Sequence, residues 1–211
     1  MRIGIFDSGK GGEIVAARLA QAFSGANLRV VNDRPHMPYG NKTPEQVRAL
    51  TAHAIQPLLD ANCDVIVIAC NTATAHAIDL LRRKYPAQIF IGFEPMVKPA
   101  SRLTRSGVVA VCATPATLAS RRYRQLVKDI EPSIKIIEPD CSRWAEMIEC
   151  GEVDMRAVRE TVRLAVEQGA DVIVLGCTHY HMLRDEIQRV SGSGVIICEP
   201  TAKVIERLRN M

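Results

Sequence analysis

A chain of 211 residues with 47% apolar and 24% charged side chains has the make-up of one large or two small folded domains, which excludes a disordered, fibrous or coiled-coil protein. Its 27 Lys and Arg against 23 Asp and Glu leave a formal charge of only +4, scattered rather than gathered into a stripe, so nucleic acid is not expected as a partner. No apolar run approaches the roughly 20 residues of a membrane-spanning helix, and no secretory leader opens the chain, so no membrane partner and a cytoplasmic location are expected.

Short β-branched runs alternate with helical-period segments. A strand at 3–6 precedes a helix at 14–23, a strand at 28–31 and a helix at 44–59. A strand at 65–69, a helix at 73–84 and strands at 89–91 and 108–112 follow. A helix at 115–128, a strand at 134–137, a helix at 155–168, a strand at 172–175, a helix at 181–189, a strand at 195–197 and a helix at 202–208 complete the series. Strands that read as continuous Val/Ile runs are buried on both faces, and their alternation with helices predicts parallel βαβ units, an α/β fold. Thr43-Pro44-Glu45-Gln46 and Thr114-Pro115 carry helix-start chemistry, a capping threonine with proline at the first helical position. Pro57 lacks the N–H that a straight helix through residue 59 needs and marks a bend or a boundary.

One segment returns. Residues 63–72, CDVIVIACNT, recur 107 positions on as ADVIVLGCTH at 170–179. Two related α/β halves follow from this echo, and the same offset carries Asp7 onto Thr114. Cys70 and Cys177 then stand just past the C-terminal ends of buried strands and just before helices, where open α/β sheets bind ligands. A helix N-terminus lowers a thiol pKa and attracts carboxylates, and Asn71-Thr72 and Thr178-His179 add amide, hydroxyl and backbone donors. Free thiols can also serve simply as small buried hydrophobes. Seven cysteines, an odd number, are read as free thiols in a reducing compartment rather than a disulfide framework. Cys177-Thr178-His179 has no second ligand pair at zinc spacing, so no metal is expected. Gly9-Lys10-Gly11-Gly12 lacks both nucleotide-binding glycine patterns; its glycines allow a tight turn beside Asp7 and Ser8, with Asp7 placed either to orient an amine or to cap the turn.

Taken in order, Asp7-Ser8-Gly9 with Gly11-Gly12, Pro38-Tyr39-Gly40, Cys70-Asn71-Thr72-Ala73-Thr74-Ala75, Glu94-Pro95, Thr114-Pro115-Ala116-Thr117 and Gly176-Cys177-Thr178-His179-Tyr180 cover nearly the whole chain. On these motifs the sequence resembles the glutamate racemases of the cofactor-independent Asp/Glu racemase superfamily. The resemblance implies two Rossmann-like, three-layer α/β domains related by a pseudo-two-fold axis: 1–94 plus 196–211, and 95–195, with the active site in the cleft between them. It implies interconversion of L- and D-glutamate without metal or other cofactor, and supply of D-glutamate for peptidoglycan. Cys70 and Cys177 match the two cysteines that exchange the α-proton from opposite faces. Asp7 assists beside Cys70, His179 beside Cys177, and Glu149 matches the acid of the second side, although an ordinary solvated helix acid is the competing reading. Ser8, Tyr39, Gly40, Asn71, Thr72, Thr114, Thr117 and Thr178 are implied as substrate-binding, and a homo-oligomer as the assembly. Asp33 either belongs with Pro38-Tyr39-Gly40 or caps a loop.

The sequence departs from the family pattern at Lys10, at Arg34-Pro35-His36 and at His181, which stands where proline is usual. It also ends at Met211, where a typical relative continues, and this is expected to bear on closure and assembly. Aspartate or another small amino acid is the alternative substrate, and a non-catalytic amino-acid-binding relative the alternative class.

Overall fold

The computed structural model describes residues 1–211. The chain opens with β1 (Arg2–Asp7), α1 (Gly11–Ala22), β2 (Asn27–Asn32), α2 (Pro44–Ala54), α3 (Gln56–Asp60), β3 (Val65–Ile68), α4 (Asn71–Lys84) and β4 (Ile89–Gly92). Two 3₁₀ turns, Arg34–His36 and Tyr39–Asn41, lie between β2 and α2. It continues with α5 (Val97–Leu103), β5 (Val108–Ala113), α6 (Pro115–Leu118), α7 (Arg121–Lys128), β6 (Lys135–Ile137), α8 (Trp144–Cys150), α9 (Met155–Glu167) and β7 (Val172–Gly176). A 3₁₀ turn, Thr178–Leu183, leads into α10 (Arg184–Ser191), β8 (Ile196–Cys198) and α11 (Thr201–Arg209). No helix is long and apolar enough to cross a membrane.

Two compact units result, Met1–Glu94 with Pro200–Met211, and Pro95–Glu199. Each is built on one four-stranded parallel sheet, ordered β2-β1-β3-β4 in the first and β6-β5-β7-β8 in the second. In the first unit Ile3, Ile5, Val65, Val67 and Ile91 bury one sheet face against Val15 and Leu19 of α1 and Val204 and Leu208 of α11. Phe6, Ile66, Ile68 and Phe90 bury the other against Val47 of α2, Leu58 of α3 and Ala73, Ala77 and Leu81 of α4. In the second unit Val109, Val111, Val172 and Val174 pack on Val97 and Ala100 of α5 and Tyr123 of α7. Its opposite face, Ala110, Cys112, Ile173 and Leu175, packs on α8, α9 and α10. Both faces of both sheets are therefore covered, which is why the central strands are apolar throughout rather than alternating. Each fully buried aliphatic side chain contributes roughly 1.5–3 kcal/mol.

Register sharpens the internal echo. Ile3 lies opposite Val65, and Val109 opposite Val172, so β5 repeats β1 with Thr114 in the place of Ser8 rather than of Asp7. The chain between β5 and β7 is one residue longer than that between β1 and β3, and the offset changes accordingly. Cys70 and Cys177 remain equivalent.

Several expected elements change. Ile196–Cys198, assigned by the sequence to the first domain, pairs with β7 of the second sheet. Only α11 returns to the first unit, because an apolar strand beside β7 satisfies its ladder there while Val204 and Leu208 complete the α1 face. The helix expected at 44–59 breaks at Ile55, next to Pro57. The capping box of Thr43 with Gln46 forms as expected. The single helix expected at 115–128 is two, because Ser120 caps a new start by accepting a hydrogen bond from the Tyr123 N–H. The 181–189 helix begins only at Arg184, after the 3₁₀ turn. Helices α5 and α8 were not expected: at seven residues each, their apolar period is too short to register.

Candidate active site

The strand orders place a topological switch between β1 and β3 in the first unit and between β5 and β7 in the second. In each unit the sequence-predicted polar residues gather at the C-terminal end of that strand pair.

In the first unit Asp7 ends β1, fully buried, and its Oδ1 accepts a hydrogen bond of 2.8 Å from the Gly9 N–H. Helix α1 closes on Asp7 because Gly12 has no side chain: a Cβ there would lie 2.5 Å from the Asp7 Cβ and 2.7 Å from Asn32 Oδ1. Cys70 follows β3 and caps α4 through sulfur, accepting from the Ala73 N–H at 3.4 Å, and its Sγ is 3.3 Å from Ser8 Oγ. Burial, reinforced by the neighbouring Asp7 carboxylate, pushes the Cys70 thiol up to about 11, against the lowering effect of Ser8 and of the first N–H groups of α4. Cys70 is thus held as a thiol that needs a cation, or a change in hydration, to ionise.

Asn71 and Thr72 open α4 and are buried. Neither the Nδ2 nor the Oδ1 of Asn71 meets a hydrogen-bonding protein group. A buried amide left in this state costs about 1–3 kcal/mol, a cost that a ligand can remove. Tyr39 is 1% exposed and Gly40 is buried beside it. The Tyr39 ring packs on Phe6, and its phenol donates to Asp33 Oδ2 at 2.6 Å.

In the second unit Ala113 and Gly176 are paired, so Thr114 and Cys177 leave adjacent strand ends. A Cβ on Gly176 would stand 2.9 Å from the Ala113 Cβ and 3.2 Å from the Cys112 carbonyl oxygen, so glycine permits this close approach. Thr114 caps α6 by accepting from the Thr117 N–H, and the two hydroxyls are 2.9 Å apart. Thr117 is fully buried and its hydroxyl is engaged with Thr114.

Cys177 Sγ lies 3.6 Å from His179 Nδ1, and His179 Nε2 lies 2.5 Å from Glu149 Oε1, with both partners' side chains 5% exposed or less. Glu149 is therefore not the solvated helix acid of the competing reading: it shares the buried stripe of α8 with Trp144, Ala145 and Ile148. Trp144 meets Tyr180 edge-on at 5.2 Å, and the Tyr180 hydroxyl donates to the Cys141 carbonyl, which anchors α8 to the turn carrying His179. When Nε2 donates to an ionised Glu149, Nδ1 is left to accept the thiol proton, and the resulting imidazolium donates to a thiolate. Thr178 is buried at the start of the same turn.

Two contacts escaped sequence reasoning. The Asp33–Tyr39 bond joins residues across two 3₁₀ turns, which have no apolar period to reveal them. The buried His181, 3.8 Å from Glu199, is visible in sequence only as a departure from the family pattern. No group of three or more His, Cys, Asp or Glu side chains is arranged to hold a metal ion.

Two parallel α/β units of like strand order, each presenting a cysteine and hydrogen-bonding side chains at its switch point, define a doubly built α/β protein of the class that binds small ligands at strand ends. Residues 12–208 match the Asp/Glu/hydantoin racemase family. A glutamate racemase from Roseiflexus sp. (strain RS-1) is 39% identical over 210 residues, spanning 98% of this chain and 77% of that relative. The solved structure of Escherichia coli glutamate racemase, in complex with L-glutamate and the activator UDP-MurNAc-Ala, superimposes with a TM-score of 0.89 at 25% identity, over 99% of this chain and 80% of the other. That of the Francisella tularensis subsp. tularensis SCHU S4 enzyme in complex with D-glutamate does so with a TM-score of 0.82 at 27% identity, again over 99% and 80%. The chain belongs to the Asp/Glu/hydantoin racemase family and is a racemase, an isomerase.

Proposed function

We propose that this chain interconverts L- and D-glutamate by exchanging the α-proton between Cys70 and Cys177, which act on one substrate carbon from opposite faces. The observation that carries this reading is the equivalence of the two thiols: the same register position, at the same switch point, in two sheets of the same order. The similarity to glutamate racemases, two of them solved with the L- and D-forms, supports the substrate.

In one direction the Cys70 thiolate takes the α-proton, the electron pair delocalises into the substrate carboxylate, and the Cys177 thiol delivers its own proton to the other face. In the other direction the roles reverse. Atoms and charge balance without an oxidant. Each thiol ends in the state in which its partner began, so the pair must be reset by proton exchange, for which His179 and Glu149 serve Cys177 and Asp7 and Ser8 serve Cys70. The substrate ammonium supplies the cation that favours a thiolate at Cys70. Its carboxylates meet Ser8, Asn71, Thr72, Thr114 and Thr178 and the Tyr39-Gly40 turn, with Thr117 holding Thr114 in place. All seven cysteines are free thiols, in keeping with work in a reducing cytoplasm, where D-glutamate would be supplied for peptidoglycan.

The test is incubation of each glutamate enantiomer in deuterated water, following α-deuterium by NMR and handedness by chiral chromatography, with aspartate and neutral amino acids alongside. Both exchange and inversion of glutamate are expected. Binding without either would make the chain an amino-acid-binding relative, and faster inversion of aspartate would change the substrate.

Asn71 gives a second check. Replacing it with the near-isosteric leucine removes an unpartnered amide, so Asn71→Leu is expected to raise unfolding stability by about 1–3 kcal/mol while raising the KM for glutamate about tenfold. A loss of stability in chemical denaturation would show that the amide is already satisfied.

A further inference from the structure

The chain between β2 and α2 leaves the sheet at Asp33, whose N–H donates to the Asp7 carbonyl at 3.1 Å and so continues the β1–β2 ladder by one bond. Its carboxylate is engaged on both oxygens. Oδ2 accepts the Tyr39 phenol at 2.6 Å, and Oδ1 lies 2.7 Å from His36 Nδ1. The Asp33 side chain is 11% exposed and that of His36 is 51% exposed, so the carboxylate forms the middle of a bridge from solvent to the buried phenol. Beyond the phenol, the Tyr39 ring packs on Phe6 at the end of β1, and the Tyr39–Asn41 turn packs on α4, the helix that Cys70 caps. Asp33 thus links β1, the turn and, through that turn, the cysteine's helix.

Neither member of the bridge is free to move a substrate proton. Burial first, and then the hydrogen bond to Asp33, hold the Tyr39 phenol far above its ordinary value, with Cys70 and Asp7 acting in the same direction, so it stays a neutral donor. Both carboxylate oxygens of Asp33 face donors within the loop.

We propose that Asp33 is a positioning residue: braced by His36, it fixes the Tyr39–Gly40 turn through the phenol, and thereby sets substrate affinity rather than the rate of proton transfer. This rests on the reading of Tyr39 and Gly40 as substrate-binding. The chemistry is that of a charge-assisted hydrogen bond in a sparsely hydrated place, where loss of one partner leaves the other unsatisfied. A turn released in this way costs binding energy whenever substrate must order it again.

The experiment is steady-state kinetics on the full chain, in both directions, for Asp33→Asn, Tyr39→Phe, the double variant, His36→Gln and His36→Ala. Asp33→Asn and Tyr39→Phe are each expected to raise KM about tenfold with kcat within about threefold. The double variant is expected to be no worse than the more impaired single variant, since Asp33→Asn removes the charge that strengthens the bond and Tyr39→Phe removes the bond itself. His36→Gln keeps a donor and is expected to stay near the parent, while His36→Ala raises KM a few-fold. A fall in kcat at constant KM for Asp33→Asn, or additive losses in the double variant, overturns the proposal. Should Asp33→Asn fail to fold, a parent-like KM in folded Tyr39→Phe overturns it equally. Cys70→Ser separates the two levels: if that variant still inverts glutamate, the active-site reading fails, whereas a silent Cys70→Ser with parent-like KM in Asp33→Asn refutes this inference alone.

Discussion

Cys70→Ser and Cys177→Ser are each expected to lower glutamate inversion by at least about 10²–10⁴-fold, the range that a positioned acid or base contributes, with folding preserved. The size of the loss follows from the chemistry of two faces. A serine hydroxyl fills nearly the same volume but is a far weaker acid than a thiol with its ordinary pKa of about 8.5. Inversion needs one group to take the proton and a second to deliver another, so loss of either blocks the whole reaction. Exchange is different: the remaining thiol can remove and return a proton on its own face, so each variant is expected to wash deuterium into one enantiomer without inverting it. Near-parent inversion by either variant, in both directions, would end the paired-thiol mechanism.

Cys70→Ser also has a stability signature. The folded thiol is pushed up to about 11, well above its ordinary value, so the folded state holds its proton where the unfolded chain releases it. The corresponding stability, on the order of 3 kcal/mol, is fully present below pH 9 and is lost as pH rises to about 11. In denaturant titrations across that window the parent is expected to lose stability relative to the serine variant.

Glu149→Gln is expected to lower kcat/KM about 10²-fold, because the neutral amide no longer stabilises an imidazolium at His179 and can present the wrong hydrogen-bonding partner to Nε2. Enantiomers have equal free energies, so kcat/KM must fall by the same factor in both directions. The one-sided origin appears instead in the isotope effects. Proton transfer at Cys177 becomes the slower of the two steps. With α-deuterated substrate the isotope effect is then expected to grow for the enantiomer that Cys177 deprotonates and to shrink for the one that Cys70 deprotonates. Equal isotope effects for the two enantiomers, or parent-like rates, would remove Glu149 from the chemistry.

Much of this arrangement is legible from local chemistry. Val/Ile runs identify the central strands, since a parallel strand buried on two sides has few polar positions to break its pattern, and shorter β-branched runs mark the more exposed edge strands. Thr43-Pro44 and Thr114-Pro115 mark helix starts because the capping oxygen and the missing proline N–H act within one turn. The recurring segment around Cys70 and Cys177 announces two like units, because equal strand ends need equal residues.

What the sequence alone determined is therefore the class of fold, the duplicated strand-end cysteines and the polar residues adjacent to them in the chain. Tertiary structure decided the partners that lie far along it. Glu149 reaches His179 only because Trp144 and Ile148 turn its face of α8 inward, and a seven-residue helix carries too little periodicity to show that in advance. The pairing of Ile196–Cys198 with β7 and the one-residue shift that matches Thr114 to Ser8 have the same cause, while the bridge from His36 through Asp33 to Tyr39 is local in the chain but formed by turns without a period. Register, burial and hydrogen-bond partners are settled by which surfaces close on one another, and local propensity holds no record of that choice.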